Sequence, residues 1–191
     1  MLKLGILGSG KGSNFQAILD AIDRGDLKAT VAMVFSDVEN SGILKIARDR
    51  GIPAEYVKPG SFRFRMSPES EKYMGEKLKS AGADIVVLAG FMRILKGDFL
   101  SFFSRRIINI HPSLLPKFCG LEAWKQALEA KESVTGCTVH FVDAGVDTGE
   151  ILAQAEVPVL PDDTAESLHA RIQEQEHRLL PEVIVKYFVA P

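Results

Sequence analysis

Runs of apolar, β-branched residues alternate with helical segments along the first half of the chain. Helical spacing is clearest at Phe15, Ile18, Leu19 and Ile22, where apolar residues recur every three or four positions. The strand runs are apolar throughout, which is typical of strands buried on both faces of a parallel sheet. The predicted strands are Leu2–Leu7, 30–35, 54–57 and 84–88, and the predicted helices are 15–24, 43–50 and 68–80. This order indicates an α/β fold with a Rossmann-like, mostly parallel sheet flanked by helices.

The second half of the chain has a less regular pattern. An apolar strand at 107–110 and a helix at 121–130 precede two strands, 135–143 and 151–159. The last strand alternates polar and apolar residues, so the two are expected to pair as an antiparallel extension of the sheet. Asp163-Thr164-Ala165-Glu166 resembles a capping box for a final long helix, which Pro181 is expected to kink.

Composition and charge argue against several classes of function. The chain has 191 residues, 46% of them hydrophobic, and a formal net charge of -2, so one packed domain over 1–191 is expected. A nucleic-acid-binding protein would normally show a basic surface, and none is indicated. No apolar run is long enough for a membrane span, and no leader is recognised. We therefore expect a cytoplasmic protein whose two cysteines, Cys119 and Cys137, are reduced thiols.

Two polar residues at the end of the strand at 107–110 are the first candidates for catalysis. Asn109 and His111 are two positions apart, so both side chains lie on the same face of the strand. Pro112 ends the strand immediately afterwards. An amide and an imidazole held there could act on a carbonyl carbon. The alternative is a core histidine that only bonds a neighbouring asparagine.

A glycine-rich loop between the first strand and the first helix is the second candidate. Gly8-Ser9-Gly10-Lys11-Gly12-Ser13-Asn14 places backbone N–H groups at a helix N-terminus, which favours an anion. Gly12 occupies the position where a P-loop has Ser or Thr, and Ser13 replaces the third glycine of a dinucleotide fingerprint. A single phosphate or phosphoribosyl group fits better than a pyrophosphate. A purely structural turn is the alternative.

A third candidate is the loop after the strand at 135–143, which contains Asp143 and Asp147 between glycines. A carboxylate from this loop could face His111 and raise the pKa of its imidazole. Alternatively, either aspartate only bonds local backbone. The four histidines lack metal-ligand spacing with the cysteines, so no metal site is expected.

Taken together, the motifs resemble the phosphoribosylglycinamide formyltransferase family. Three further segments support the resemblance: Leu-Ala-Gly-Phe-Met-Arg-Ile-Leu at 88–95, Asn-Ile-His-Pro-Ser-Leu-Leu-Pro at 109–116, and Gly-Cys-Thr-Val-His-Phe-Val at 136–142. They cover almost the whole chain in the right order. The resemblance implies transfer of a formyl group from 10-formyltetrahydrofolate to glycinamide ribonucleotide, without metal, by a monomer or homodimer.

The resemblance also implies roles for individual residues. His111 would be the general acid, Asn109 would bind the formyl oxygen, and Asp147 would raise the pKa of His111. The phosphate would be held by Gly12, Ser13 and Asn14, and the ribonucleotide by Gln173 and Glu176. The folate site would be formed by Arg65, Met92, Arg93, Ile94, Leu95, Asn109, Val142, Asp143, Ala144, Gly145 and Val146. Residues 1–100 would form a phosphoribosyl-binding half and 101–191 a catalytic, folate-binding half.

Several alternatives remain open on sequence alone. A 10-formyltetrahydrofolate hydrolase or another N-formyltransferase would use a similar Asn–His–Asp set. The hydrolase family normally has an additional N-terminal domain, and transfer to RNA would require basic surface. A nicotinamide-dependent dehydrogenase could use the glycine loop with Asp37 on the ribose hydroxyls. Glu122 and Trp124 stand where many relatives have histidines, and Cys119 where proline is common, which affects the expected hydrogen bonds around Asp147.

Overall fold

The computed structural model describes residues 1–189, which form one seven-stranded sheet flanked by helices. The strands are β1 (Leu2–Leu7), β2 (Ala29–Ser36), β3 (Ala54–Tyr56), β4 (Ile85–Leu88), β5 (Ile107–His111), β6 (Val134–Phe141) and β7 (Ile151–Pro158). The helices are α1 (Ser13–Asp23), α2 (Gly42–Asp49), α3 (Pro68–Ser80), α4 (Gly97–Phe102), α5 (Ala123–Glu129) and α6 (Ala165–Phe188).

The strand order is β3-β2-β1-β4-β5-β6-β7, and the first five strands in this order are parallel. Strands β2 and β3 are added on one side of β1, and β4 and β5 are added on the other. The loops after β1 and β4 therefore emerge side by side at the same edge of the sheet. In open α/β sheets this switch point is where ligands bind. The predicted mostly parallel sheet is confirmed.

Strands β6 and β7 extend the sheet in the antiparallel sense, as predicted. β6 pairs with β5 so that Asn109 lies opposite His140 and His111 lies opposite Thr138. The end of β5 is therefore bordered by loops on its β4 side and by the backbone of a strand on its β6 side.

The apolar side chains pack in two clusters, one on each face of the sheet. Along β1, Leu4 and Ile6 contribute to the cluster under α1, α2 and α6, whereas Leu7 contributes to the cluster under α3 and α4. A Cβ at Gly5 would approach Leu78 Cδ2 at 2.5 Å, so glycine lets α3 pack directly on the sheet.

Element boundaries differ from the predictions by a few residues, and two local features differ more. Helix α4 is short and was not predicted, because only Phe99 of it is buried. The capping box of α6 is shifted by one residue: Thr164 is the N-cap and pairs with Ser167, not Glu166. Helix α6 continues past Pro181, which is buried within it. Ser67 caps α3 by accepting from the Ser70 N–H, and Pro68 stands at the start of the helix.

Candidate active site

Asn109, His111 and Asp147 meet at the end of β5. Asp147 Oδ2 lies 3.4 Å from His111 Nδ1, and Asn109 Nδ2 lies 3.5 Å from Asp147 Oδ1. The histidine and aspartate side chains are only 6% and 12% exposed, so water screens their interaction weakly. The three side chains predicted from separate segments thus form one polar cluster.

Asp147 is held in place by backbone as well as by its neighbours. It has a left-handed φ of 54°, which is uncommon for a non-glycine residue and occurs at functional sites. The Gly120 N–H donates to its Oδ2 at 2.8 Å. Burial raises the pKa of Asp147, but the neighbouring His140 and His111 rings and the Gly120 N–H together lower it. Asp147 is therefore a carboxylate at neutral pH.

His140 is a fourth member of this cluster. Its Nδ1 lies 2.8 Å from the Phe141 carbonyl oxygen, and its Nε2 lies 3.2 Å from Asn109 Nδ2. A proton on Nδ1 leaves Nε2 to accept from the Asn109 amide, which fixes the orientation of that amide. His140 was not among the predicted site residues, although its two-residue spacing from Thr138 on β6 was an available signal.

Both ring nitrogens of His111 face acceptors. Nε2 lies 2.8 Å from the Phe118 carbonyl oxygen, and Nδ1 faces Asp147. Only the imidazolium can donate to both. Burial nevertheless lowers the pKa of His111, and the Asp147 carboxylate and the Phe118 carbonyl offset this only in part. Asp147 thus raises the pKa of His111, as expected, but desolvation of the charged ring exceeds this attraction and the net shift is downward.

The glycine loop leads directly into α1. Gly12 is the N-cap with φ 84°, and Ser13 begins the helix without a side-chain cap, so the first N–H groups of the helix remain available for an anion. Asn14 Nδ2 donates to Glu176 Oε2 at 2.9 Å, and Asn14 Oδ1 is buried without a partner. The structure therefore joins the loop to α6. Burial raises the pKa of Glu176 to about 7, although the bond from Asn14 opposes this.

Asp37 is not available to bind a ribose. Ser9 Oγ donates to its Oδ1 at 2.5 Å and Arg93 Nε donates to its Oδ2 at 2.7 Å. Because both carboxylate oxygens are engaged inside the protein, the dehydrogenase alternative loses its ribose-binding residue.

The residues expected to contact folate lie in three neighbouring segments. Arg65 pairs with Ile94 through a backbone bridge and stacks on Phe62, with 3.8 Å from its guanidinium carbon to the ring centroid. Met92 is exposed, whereas Leu95 is buried in the apolar core. The guanidinium of Arg93 points to Asp37, so its side chain is committed to a structural ion pair.

The two aspartates of the 142–147 loop bond to different partners. Asp143 Oδ1 accepts from the Gly145 N–H at 2.9 Å and from Thr148 Oγ1 at 2.7 Å. Asp143 thus bonds only its own loop, as the local alternative predicted, and Asp147 faces the imidazole. Val142 is half-buried, and residues 143–146 are exposed. Gln173 is half-buried on α6, one turn before Glu176.

Three side chains near this site differ from those of many relatives, and none of them bonds to the Asn109–His111–Asp147 cluster. Glu122 pairs with Lys125, and Trp124 stacks on His169 with ring centroids 3.7 Å apart. Cys119 Sγ faces the Pro116 carbonyl oxygen. Neither cysteine is in a disulfide, as predicted.

Within residues 1–189, no group of three potential ligands could hold a metal ion. No helix in the same range is both long and apolar enough to cross a membrane.

Comparison with known proteins identifies the family. Residues 2–184 match the formyl transferase family. The chain belongs to this family.

Formyl transferases that resemble the chain come from distant organisms. A phosphoribosylglycinamide formyltransferase of Haemophilus influenzae is 40% identical over 188 residues, which are 98% of this chain and 87% of that protein. The trifunctional purine biosynthetic protein adenosine-3 of Drosophila melanogaster is 45% identical over 95% of the chain, but the match spans only 14% of its length. The crystal structure of glycinamide ribonucleotide transformylase 1 from Symbiobacterium toebii has a TM-score of 0.91 and 48% identity, covering 96% and 86% of the two chains.

Proposed function

We propose that this formyl transferase moves the formyl group of 10-formyltetrahydrofolate to the amine of glycinamide ribonucleotide, as in purine biosynthesis. The convergence of Asn109, His111 and Asp147 on one buried point is the observation on which the proposal depends. The names of the relatives, phosphoribosylglycinamide formyltransferases that align over nearly the full chain, support this choice of acceptor.

The reaction needs two things that these residues can supply. The amine nitrogen bonds to the formyl carbon while the bond from that carbon to the folate nitrogen breaks. Negative charge develops on the formyl oxygen, and N–H donors from Asn109 and His111 stabilise it. The departing folate nitrogen needs a proton, which His111 donates as a general acid, and Asp147 favours the charged imidazole. The amine nitrogen loses one proton as it becomes an amide, and that proton restores the charged imidazole, so the step balances.

One acceptor of His111 must yield to the substrate for this proton to be delivered. The Asp147 carboxylate is charged, so its interaction with Nδ1 is the stronger of the two. The Phe118 carbonyl oxygen is uncharged, so Nε2 gives up the weaker electrostatic partner when it turns to the substrate. We assign proton delivery to Nε2.

The ribonucleotide is assigned to the glycine loop and α6. The free N–H groups at Gly12, Ser13 and Asn14 would hold the phosphate, and Gln173 and Glu176 would bind the rest of the ribonucleotide. The folate is assigned to Arg65, the 92–95 segment and the 142–146 loop. Residues 1–100 then serve as the phosphoribosyl-binding half and 101–191 as the catalytic half of one domain, in a cytoplasmic enzyme that is a monomer or homodimer.

The test is consumption of 10-formyltetrahydrofolate, followed by absorbance, in three parallel reactions. One contains glycinamide ribonucleotide, one the unphosphorylated riboside, and one neither. Turnover is expected to need the ribonucleotide, because a bound phosphate makes the attack effectively unimolecular. Equal rates in all three would refute the transferase and indicate a hydrolase.

A further inference from the structure

Asp37, the first residue after β2, is a buried carboxylate at the centre of a hydrogen-bond network that has no part in the chemistry described above. Its side chain is 3% exposed and that of Arg93 is 22% exposed. Its two carboxylate oxygens bind two different parts of the chain, since Oδ1 accepts from Ser9 Oγ and Oδ2 accepts from Arg93 Nε.

Each partner of Asp37 makes further bonds to segments assigned to substrate binding. Ser9 belongs to the glycine loop, and its Oγ accepts from the Met92 N–H at 2.8 Å while its own N–H donates to the Gly90 carbonyl oxygen at 3.0 Å. Arg93 Nη1 donates to the carbonyl oxygens of Phe62 at 3.2 Å and Arg63 at 2.6 Å. One carboxylate therefore joins the glycine loop, the 90–93 segment and the 62–63 segment.

We infer that Asp37 is a positioning residue that holds the phosphate-binding loop and the folate-lining segments at a fixed separation. The inference rests on the proposed function, which assigns a different substrate to each side of this network. Segments that line one binding site from separate parts of the chain need a defined spacing, and a folate-lining segment that is not held in place must be ordered on binding, which weakens affinity. Without Asp37, the Arg93 guanidinium would stay partly buried with no opposite charge.

A merely structural ion pair is the competing explanation, and the chain offers a matched control for it. Asp163 pairs with Arg171 at 2.7 Å, with side chains 3% and 27% exposed. Arg171 also donates to the Pro158 carbonyl oxygen, so this pair resembles the Asp37–Arg93 pair in burial and in donating to a backbone carbonyl oxygen. It lies at the start of α6, and neither residue is assigned to a substrate.

The experiment compares the purified wild-type chain with Asp37→Asn and Asp163→Asn. For each, KM for both substrates, kcat and the urea midpoint are measured. Asp37→Asn is expected to raise KM for 10-formyltetrahydrofolate about tenfold or more and KM for the ribonucleotide by less, with kcat within about threefold of wild type. The folate KM responds more because Met92 and Arg93 both lie on that side. Asp163→Asn is expected to lower the urea midpoint without changing either KM.

Loss of folded protein alone lowers the apparent kcat and leaves KM unchanged, so the KM values separate positioning from stability. The inference would be overturned if the folate KM of Asp37→Asn stayed within about twofold of wild type. It would also be overturned if the folate KM of Asp163→Asn rose equally. If Asp37→Asn does not fold, Ser9→Ala removes only the hydroxyl that links Asp37 to the Met92 N–H. It must then raise the folate KM, and an unchanged value refutes the inference. Lack of wild-type turnover would instead refute the proposed function.

Discussion

Asp147 Oδ2 lies 3.4 Å from His111 Nδ1, on the opposite side of the imidazole from the Phe118 carbonyl oxygen. The ring is thus held between a charged and a neutral acceptor, and its protonation depends on a balance. Burial favours the neutral ring, whereas the carboxylate favours the charged one. Changing the carboxylate should therefore shift a titration without disturbing the fold.

Asp147→Asn is expected to reduce turnover and to move the alkaline limb of the pH–rate profile to lower pH. The carboxylate raises the pKa of His111, so its loss lowers that pKa further and the imidazolium is lost at a lower pH. Asparagine tolerates the left-handed backbone at this position, and its carbonyl can still accept from the Gly120 N–H. The measurement is kcat against pH, with Asp26→Asn, a surface carboxylate paired with Arg24, as the control. An unmoved alkaline limb would contradict the role of Asp147.

His111→Ala and Asn109→Ala are each expected to lower kcat on the order of 10²–10³-fold, the usual effect of removing one oxyanion donor. Stability should fall by only about 1–2 kcal/mol, since each change removes few hydrogen bonds. His169→Ala, which removes a stacked and half-buried histidine, is the control. Near-wild-type kcat in either site variant, with urea midpoints measured in parallel, would indicate that the pair at the end of β5 is structural.

Glu176→Gln is expected to make the chain more stable at alkaline pH while raising KM for the ribonucleotide. Burial raises the pKa of Glu176 to about 7. The folded state therefore binds this proton more tightly than the unfolded state, and stability is lost as pH rises from the unfolded pKa toward 7. For a shift of this size the loss is on the order of 3 kcal/mol.

Urea unfolding at about pH 5 and about pH 8 checks this prediction. The pH dependence should be weaker in Glu176→Gln than in the wild type or in Glu174→Gln, which changes an exposed carboxylate on the same helix. Equal pH dependence in all three proteins would show that Glu176 does not titrate in this range.

The two thiols should differ in reactivity. Cys119 is exposed, whereas Cys137 is buried, which raises the pKa of its thiol to about 12. Because the thiolate is the reactive form, a disulfide reagent should modify one thiol in the native chain and two in denaturant. Cys119→Ser should abolish the native reaction. If both thiols of the native chain reacted at similar rates, the result would contradict the burial of Cys137.

The strands were predictable because their apolar runs are buried on both faces, and Asn109 and His111 because strand periodicity sets their direction. Helix α4 was not, since one buried residue, Phe99, leaves no periodic pattern. The direction of the Arg93 side chain was also not predictable, because its partner Asp37 is distant in sequence. The pKa of His111 depends on how deeply the ring is buried, which spacing along a strand does not specify.

Strand β5 is parallel to β4 but antiparallel to β6, and this asymmetry has a consequence for redesigning the enzyme. On one side the Asn109–His111–Asp147 cluster is bordered by loops, which tolerate insertions and exchanges. On the other side it is bordered by β6, which is fixed between β5 and β7 and in which a side chain at Gly136 would clash, because its Cβ would lie 1.9 Å from the Ala155 carbonyl oxygen. New acceptor specificities should therefore be sought by grafting the loops after β1 and β4, with the β5–β6 pair kept as an invariant frame.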